Sequence, residues 1–258
     1  MSVKQLQFGD VLDVVRDEHV NRGHREGPGL SGIVTMRDDT GRIVFEKRHN
    51  LIVLRGRTFA LEKLFGGTIS TSGVNGGVAP YLSDLNRTIC AFGVGRGGAP
   101  TSDPFSPYAP PPTGAAGVAL ASPVPFRLHD TAAEGDGDPL TFVPASEIGN
   151  YGGARAVEGR PTQTEYLMKG FDGEPAWFFD EAANTVYKQI ELSITEHDCR
   201  TLASNYINEL CLYFSRPDAL DANGAQTYVN AEMMSRITFP TEALGPSKSL
   251  QISYRVYA

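Results

Sequence analysis

The sequence predicts a mainly β protein: an antiparallel β-sandwich with one short helix at about 54–65 and long extended arms. Three observations carry this expectation. Glycine contributes 28 and proline 17 of the 258 residues, together roughly 17% against a usual ~12%, and such an excess marks many turns. Apolar residues make up 41% and charged residues 21%, enough for a sizeable core, which excludes a disordered chain, a coiled coil and a collagen-like chain. The C-terminal half alternates apolar and polar residues with a period of two, the mark of half-buried antiparallel strands.

Residues 1–30 read as a polar N-terminal arm. Val11-Leu12-Asp13-Val14-Val15 is its one apolar run, and Arg16 to Gly29 is almost wholly polar. Such a segment cannot bury enough apolar surface to order itself, so it stays mobile or orders on a neighbour. Residues 31–258 read as a single sandwich domain. It opens on a hairpin, with Ile33–Met36 and Arg42–Glu46 around the polar turn Asp38-Asp39-Thr40-Gly41. From Leu54 to Phe65, Phe59, Ala60, Leu61, Leu64 and Phe65 recur at helical spacing, and Gly66-Gly67 supplies a stop. Thr88–Phe92 reads as a buried strand running into Gly93-Val94-Gly95-Arg96-Gly97-Gly98.

Eight prolines fall between Pro100 and Pro125. Proline cannot donate to a sheet ladder and favours extended geometry, so residues 99–126 read as an extended insertion rather than a sheet. Further on, Tyr166–Met168 and Ala176–Phe179 flank the turn residues Gly170–Gly173. Val186–Thr195, Glu209–Ser215, Arg236–Phe239 and Leu250–Tyr257 complete the strands. The alternation places Ile190, Leu192 and Ile194 on one face, and Leu210, Leu212 and Phe214 on another. Trp177-Phe178-Phe179 is assigned to the core, in preference to a sugar-stacking platform.

Charge and motifs narrow the function classes. The net charge is −7, which argues against nucleic acid as the main partner, since phosphate binding needs a basic face. No apolar run reaches the ~18 residues of a membrane-spanning helix. The first residues lack the apolar stretch of a secretory signal, so synthesis in the cytoplasm is expected. Gly93, Gly95 and Gly98 match G-x-G-x-x-G, but Ala99-Pro100 follows instead of a helix, so no nucleotide site is expected. The five histidines are scattered without metal-ligand spacing. His197-Asp198-Cys199 reads as a strand-end turn rather than a catalytic pair, and Glu134–Asp138 as a solvated turn rather than a calcium loop. No catalytic, cofactor or metal residues are assigned, and the chain is expected to be non-enzymatic. The three cysteines, Cys90, Cys199 and Cys211, form no disulfide framework. Cys199, at a strand end, is the candidate for an intermolecular disulfide once the protein leaves a reducing compartment.

Four segments, in order, resemble virion structural proteins of tailed bacteriophages. They are His49–Arg57, Phe92–Pro100 with Ser102–Phe105, Ile207–Tyr213, and Arg236–Pro240 with Leu250–Tyr257. The resemblance covers roughly residues 30–108 and 185–258. It implies a β-rich subunit of a tail, neck or collar, baseplate or head surface, present in many copies and located in the virion. It carries no catalytic residues. Partners would be copies of the chain and other virion proteins; neither nucleic acid nor membrane is expected, and glycan is the less favoured alternative.

Arms laid over neighbours bury much surface per residue, although ordering them costs entropy. The contact candidates are therefore Arg16, His19, Arg22, His24 and Arg25 in the N-terminal arm, and Pro104, Phe105, Tyr108 and Pro111 in the proline-rich insertion. The competing class is a receptor- or glycan-binding module, for which Tyr151, Trp177 and Tyr187 are the aromatic candidates.

Overall fold

A computed structural model describes residues 31–53, 56–57, 59–60, 63, 87–108, 119–130, 149–182, 185–195, 198, 206–244 and 248–257. These form thirteen strands in two sheets. The chain is mainly β and, but for one bridge, antiparallel, as the alternation predicts.

The first sheet runs β2-β1-β13-β10-β9. Its strands are β1 (Ser31–Asp38), β2 (Ile43–His49), β9 (Ala176–Asp180), β10 (Thr185–Ile194) and β13 (Leu250–Tyr257). Its inward residues Val34, Met36, Ile190, Leu192, Ile194, Leu250, Ile252 and Tyr254 are buried, and those of β10 and β13 follow the alternation read from the sequence.

The β1–β2 turn shows how local chemistry sets the hairpin. Asp38 Oδ1 accepts from the Thr40 hydroxyl (2.7 Å) and from the amides of Thr40 and Arg42 (3.1 and 3.0 Å). Its other oxygen accepts from Arg42 Nε at 2.8 Å. Gly41, at φ 81, takes the left-handed position that side chains resist. The Thr40 hydroxyl, then the Arg42 contacts, hold the Asp38 carboxyl at about 2 against burial. A depressed folded-state value stabilises the fold above the unfolded value near 3.8, and that stabilisation is lost as pH falls towards about 2. Acid unfolding titrations of wild type and Asp38→Asn should therefore converge below pH 2 and separate above pH 4.

The second sheet departs from the expected sandwich. Its path is β5-β4-β11-β12-β7-β8-β6, with β3 (Leu51–Ile52) paired to β12, and β4 also pairs with β8. The members are β4 (Thr88–Gly95), β5 (Pro123–Val124), β6 (Arg127–Asp130), β7 (Tyr151–Val157), β8 (Arg160–Gly170), β11 (Tyr206–Leu220) and β12 (Gln226–Ala243). The β4–β8 pairing, Ala91↔Gly170 and Phe92↔Lys169, closes the ring β4-β11-β12-β7-β8. The expected second open layer is thus a small barrel. Bulges explain the curl: the β11–β12 ladder shifts register four times, and each extra residue bends its strand and adds twist. The β12–β7 seam is a single parallel bridge, Gln226↔Gly152.

One continuous core joins sheet and barrel. Phe45 of β2 meets Phe239 of β12 with ring centroids 5.3 Å apart, and Phe92 meets Phe126 edge-on at 5.1 Å. Tyr254 of β13 shares a 2.5 Å hydrogen bond with Ser235 of β12. A satellite cluster of Val53, Leu120, Cys211 and Met233 covers the outer face of β11, so Cys211 is buried as fully as its neighbours. Burial pushes the Cys211 thiol up to about 12 and that of Cys90 up to about 11. Both therefore stay protonated and inert at neutral pH.

Within the expected helix, residues 56–57, 59–60 and 63 are helical. Phe59 stacks on Phe214 at 4.4 Å, and the buried Arg87 guanidinium lies over the Phe214 ring at 4.8 Å. The proline-rich insertion is compact where it is described. Residues 100–106 turn twice, with Asp103 N donating to Pro100 O and Ser106 N to Asp103 O. Pro123–Val124 pairs with β4, so this end of the insertion joins the sheet. Tyr166–Met168 and Ala176–Phe179 are not hairpin partners: the first lies in β8 of the barrel and the second in β9 of the open sheet. The chain crosses between the two at 171–175.

Candidate interaction surface

The assignment of Trp177-Phe178-Phe179 to the core is overturned. Trp177 is 60% exposed, Phe178 40% and Phe179 74%. The reason lies in the register. β9 pairs with β10 from Thr185↔Asp180 to Gln189↔Ala176, and the buried run of β10 begins only at Ile190. β9 therefore sits on the part of the sheet that overhangs the core. Its residues cannot reach the barrel, whatever their hydrophobicity.

Alternation distributes the rings over both faces. On one face Trp177 and Phe179 stack at 6.5 Å, and the Lys188 ammonium lies 5.1 Å from the Trp177 ring centre. On the other, Phe178 stacks on Tyr187 at 5.1 Å with planes 10° apart, and Tyr187 meets Tyr257 at 5.0 Å. The Arg255 guanidinium lies over Tyr187 at 5.1 Å, and its Nε donates to Gln189 Oε1 at 2.9 Å. Each exposed cation–π contact is worth about 0.5–1 kcal/mol, so the cations help hold the rings in place. Beside these rings stand two cations and the Gln189 amide, whose nitrogen donates to Glu191 Oε1. The rings suit stacking and burial against a flat partner.

The remaining sequence candidates fall as follows. Tyr151 is buried, its hydroxyl donating to Asp198 Oδ1 at 2.6 Å, so it leaves the aromatic surface. Tyr187 is half-buried within the stack. Phe105 is 75% exposed and Tyr108 is exposed, while their segment is pinned to β12 through its backbone. Thr241 N donates to Pro104 O at 2.9 Å, and the Thr238 hydroxyl donates to Tyr108 O. Phe105 is thus a second presented ring. Arg16, His19, Arg22, His24, Arg25, Pro111 and Cys199 lie outside the described residues, as do Glu134–Asp138.

The glycine motif has an internal explanation. Gly97 N donates to Glu209 Oε1 at 2.9 Å and Gly98 N to Asn208 Oδ1 at 2.7 Å. A Cβ on Gly98 would stand 2.0 Å from Asn208 O, so the backbone approaches too closely for any side chain. The amides of Gly97 and Gly98, which a phosphate would need, are taken by this chain's own Glu209 and Asn208. Among the described residues no group of three or more His, Cys, Asp or Glu gathers as a metal site.

No protein-family model, curated protein or solved structure matches this chain.

Proposed function

We propose that the chain is a non-catalytic structural subunit of a tailed-bacteriophage virion. Its place would be a tail, neck or collar, or baseplate, with the head surface as the lesser option. The observation that carries this reading is the aromatic edge strand β9. A monomer with nothing to bind does not keep three adjacent aromatic rings in water at a sheet edge, because such an edge is an association hazard. Its partners would be copies of itself and other virion proteins. The order of the segments resembling virion proteins supports the same reading.

The test is localisation. An antibody raised against the chain should label intact particles released from the host at one fixed place in electron micrographs. Label confined to the soluble lysate, with bare particles, overturns the proposal.

A receptor- or glycan-binding module is the second reading, favoured by the exposure of Trp177. Against it, Lys188 and Phe179 already stand at that ring, and a sugar needs a free aromatic face with convergent polar groups. A glycan array probed with wild type and Trp177→Ala distinguishes the two readings. The structural reading expects no Trp177-dependent signal.

A further inference from the structure

We propose that β9 pairs with β9 of a second copy, antiparallel about a two-fold axis at Phe178, joining two five-stranded sheets into one of ten strands. This deepens the assembly reading above and rests on it.

The two edges of this sheet differ in how they meet solvent. The β2 edge is guarded. Its pairing with β1 shifts register twice, Lys47 sits at φ 48, and Glu46, Lys47 and Arg48 run along it. Bulges and charges of this kind block strand addition. The β9 edge has no bulge, and its one charge, Asp180, stands at its end. Its five pairs with β10 run without a shift, and they carry Ala176, Trp177, Phe178 and Phe179. Among the described residues no strand pairs with its outer side.

The β9 edge is also self-complementary. Antiparallel pairing about Phe178 sets Phe178 against Phe178, and Trp177 of each copy against Phe179 of the other. On one face the rows Tyr257, Tyr187 and Phe178, spaced 5.0 and 5.1 Å, continue into the second copy at the ~4.8 Å strand spacing. Six rings then form one unbroken ladder. On the other face four rings meet. No carboxylate falls directly opposite another: Asp180 falls opposite Ala176, Glu181 opposite Pro175, and Glu174 opposite Ala182. An isologous contact needs this property, since one patch must fit its own copy.

The exposed rings also supply area. At about 200 Å² per ring, the three exposures leave on the order of 350 Å² of aromatic surface per copy. Two copies thus contribute roughly 700 Å², about half of what a standard interface of ~1,600 Å² buries. Main-chain hydrogen bonds and the strand flanks would add the remainder. A pair of this size dissociates on dilution, which suits a subunit whose neighbours in a particle hold it further.

Sedimentation of the full-length chain across a dilution series tests the pairing. The mean mass should rise from one chain towards two with concentration. Phe179→Lys should hold the mass at one chain with an unchanged far-ultraviolet circular dichroism spectrum. A second variant does not depend on tolerating a buried charge. In a Cys199→Ser background, Phe178→Cys places two thiols across the axis, and mild oxidation should give a disulfide-linked dimer. Glu158→Cys, on an exposed turn, should not. A wild-type chain that stays monomeric at every concentration, a dimer indifferent to Phe179→Lys, or no cross-link in the Phe178→Cys variant each overturns the pairing. If particles are labelled by the antibody while these results are negative, the pairing fails and the assembly reading stands. If particles are bare, the assembly reading fails irrespective of the mass.

Discussion

Replacing Glu209 by Gln is expected to destabilise the protein by about 3–5 kcal/mol, the usual cost of stranding one half of a buried ion pair. Glu209 and its partner Arg236 are fully buried. Glu209 Oε2 accepts from Arg236 Nη2, and Oε1 accepts from Gly97 N. Arg236 Nε and Nη1 find no hydrogen-bond partner among the described residues, so Glu209 is the one group balancing that guanidinium. Glutamine keeps the shape and the Gly97 acceptor but removes the charge. Denaturant unfolding should show a lower midpoint with an unchanged slope. Replacing both residues, Glu209→Gln with Arg236→Met, should cost less than the sum of the two single changes, because no charge is then stranded. A single-variant loss under about 1 kcal/mol would show that water reaches the pair.

Strands whose neighbours lie on one face were legible in the sequence. From Ile190 to Ile194 in β10 and from Leu250 to Tyr254 in β13 the alternation matches burial, since one side meets the core and the other does not. The Asp38–Gly41 turn was legible for a similar reason: the bonds of the Asp38 carboxylate that shape it all fall within five residues. Closure of the barrel was not. Alternation reports which face is buried but not which strand lies next in the sheet, and closure depends on bulges in β11 and β12 and on the long-range β4–β8 contact. Cys211 makes the point. Its position opposite Leu210 and Leu212 reads as the outward face, yet Val53, Leu120 and Met233 cover that face too.

The aromatic surface was half legible. Trp177-Phe178-Phe179 stands out as apolar, and the turn residues on either side mark a short strand. What the sequence withholds is where the core ends along β10. Three consecutive aromatics without alternation were the available signal, because a half-buried strand would have had a polar residue among them. The glycine motif shows the converse. Its pattern points outward to a ligand, but the group that satisfies its amides lies more than a hundred residues downstream in the same chain.

Replacing Asp198 by Ala should cost about 3–5 kcal/mol, and here the effect should be asymmetric between partners. Asp198 is buried beyond the end of β10, in the turn read from His197-Asp198-Cys199, and it clasps sheet to barrel. Its Oδ2 accepts from Lys169 Nζ of β8 at 2.7 Å, and from the Thr195 amide and hydroxyl at 2.7 and 3.0 Å. Its Oδ1 accepts from Tyr151 of β7 at 2.6 Å. Removing the carboxylate leaves the ammonium of Lys169, itself buried, with the Ser193 carbonyl at 3.0 Å as its one hydrogen-bond acceptor among the described residues. It also frees the Thr195 turn and the Tyr151 hydroxyl. Removing the ammonium instead, by Lys169→Met, leaves the carboxylate three donors, all neutral, and these satisfy much of its charge. The Lys169 variant should therefore lose less stability than the Asp198 variant, and Asp198→Asn, which can still accept from Thr195, should fall between them. Unfolding midpoints of the three variants check the order. Hydrogen exchange at the Thr195 amide checks its cause: exchange should quicken in Asp198→Ala and stay slow in Lys169→Met. Equal losses in the two would mean that Lys169, not the turn, is what the carboxylate holds.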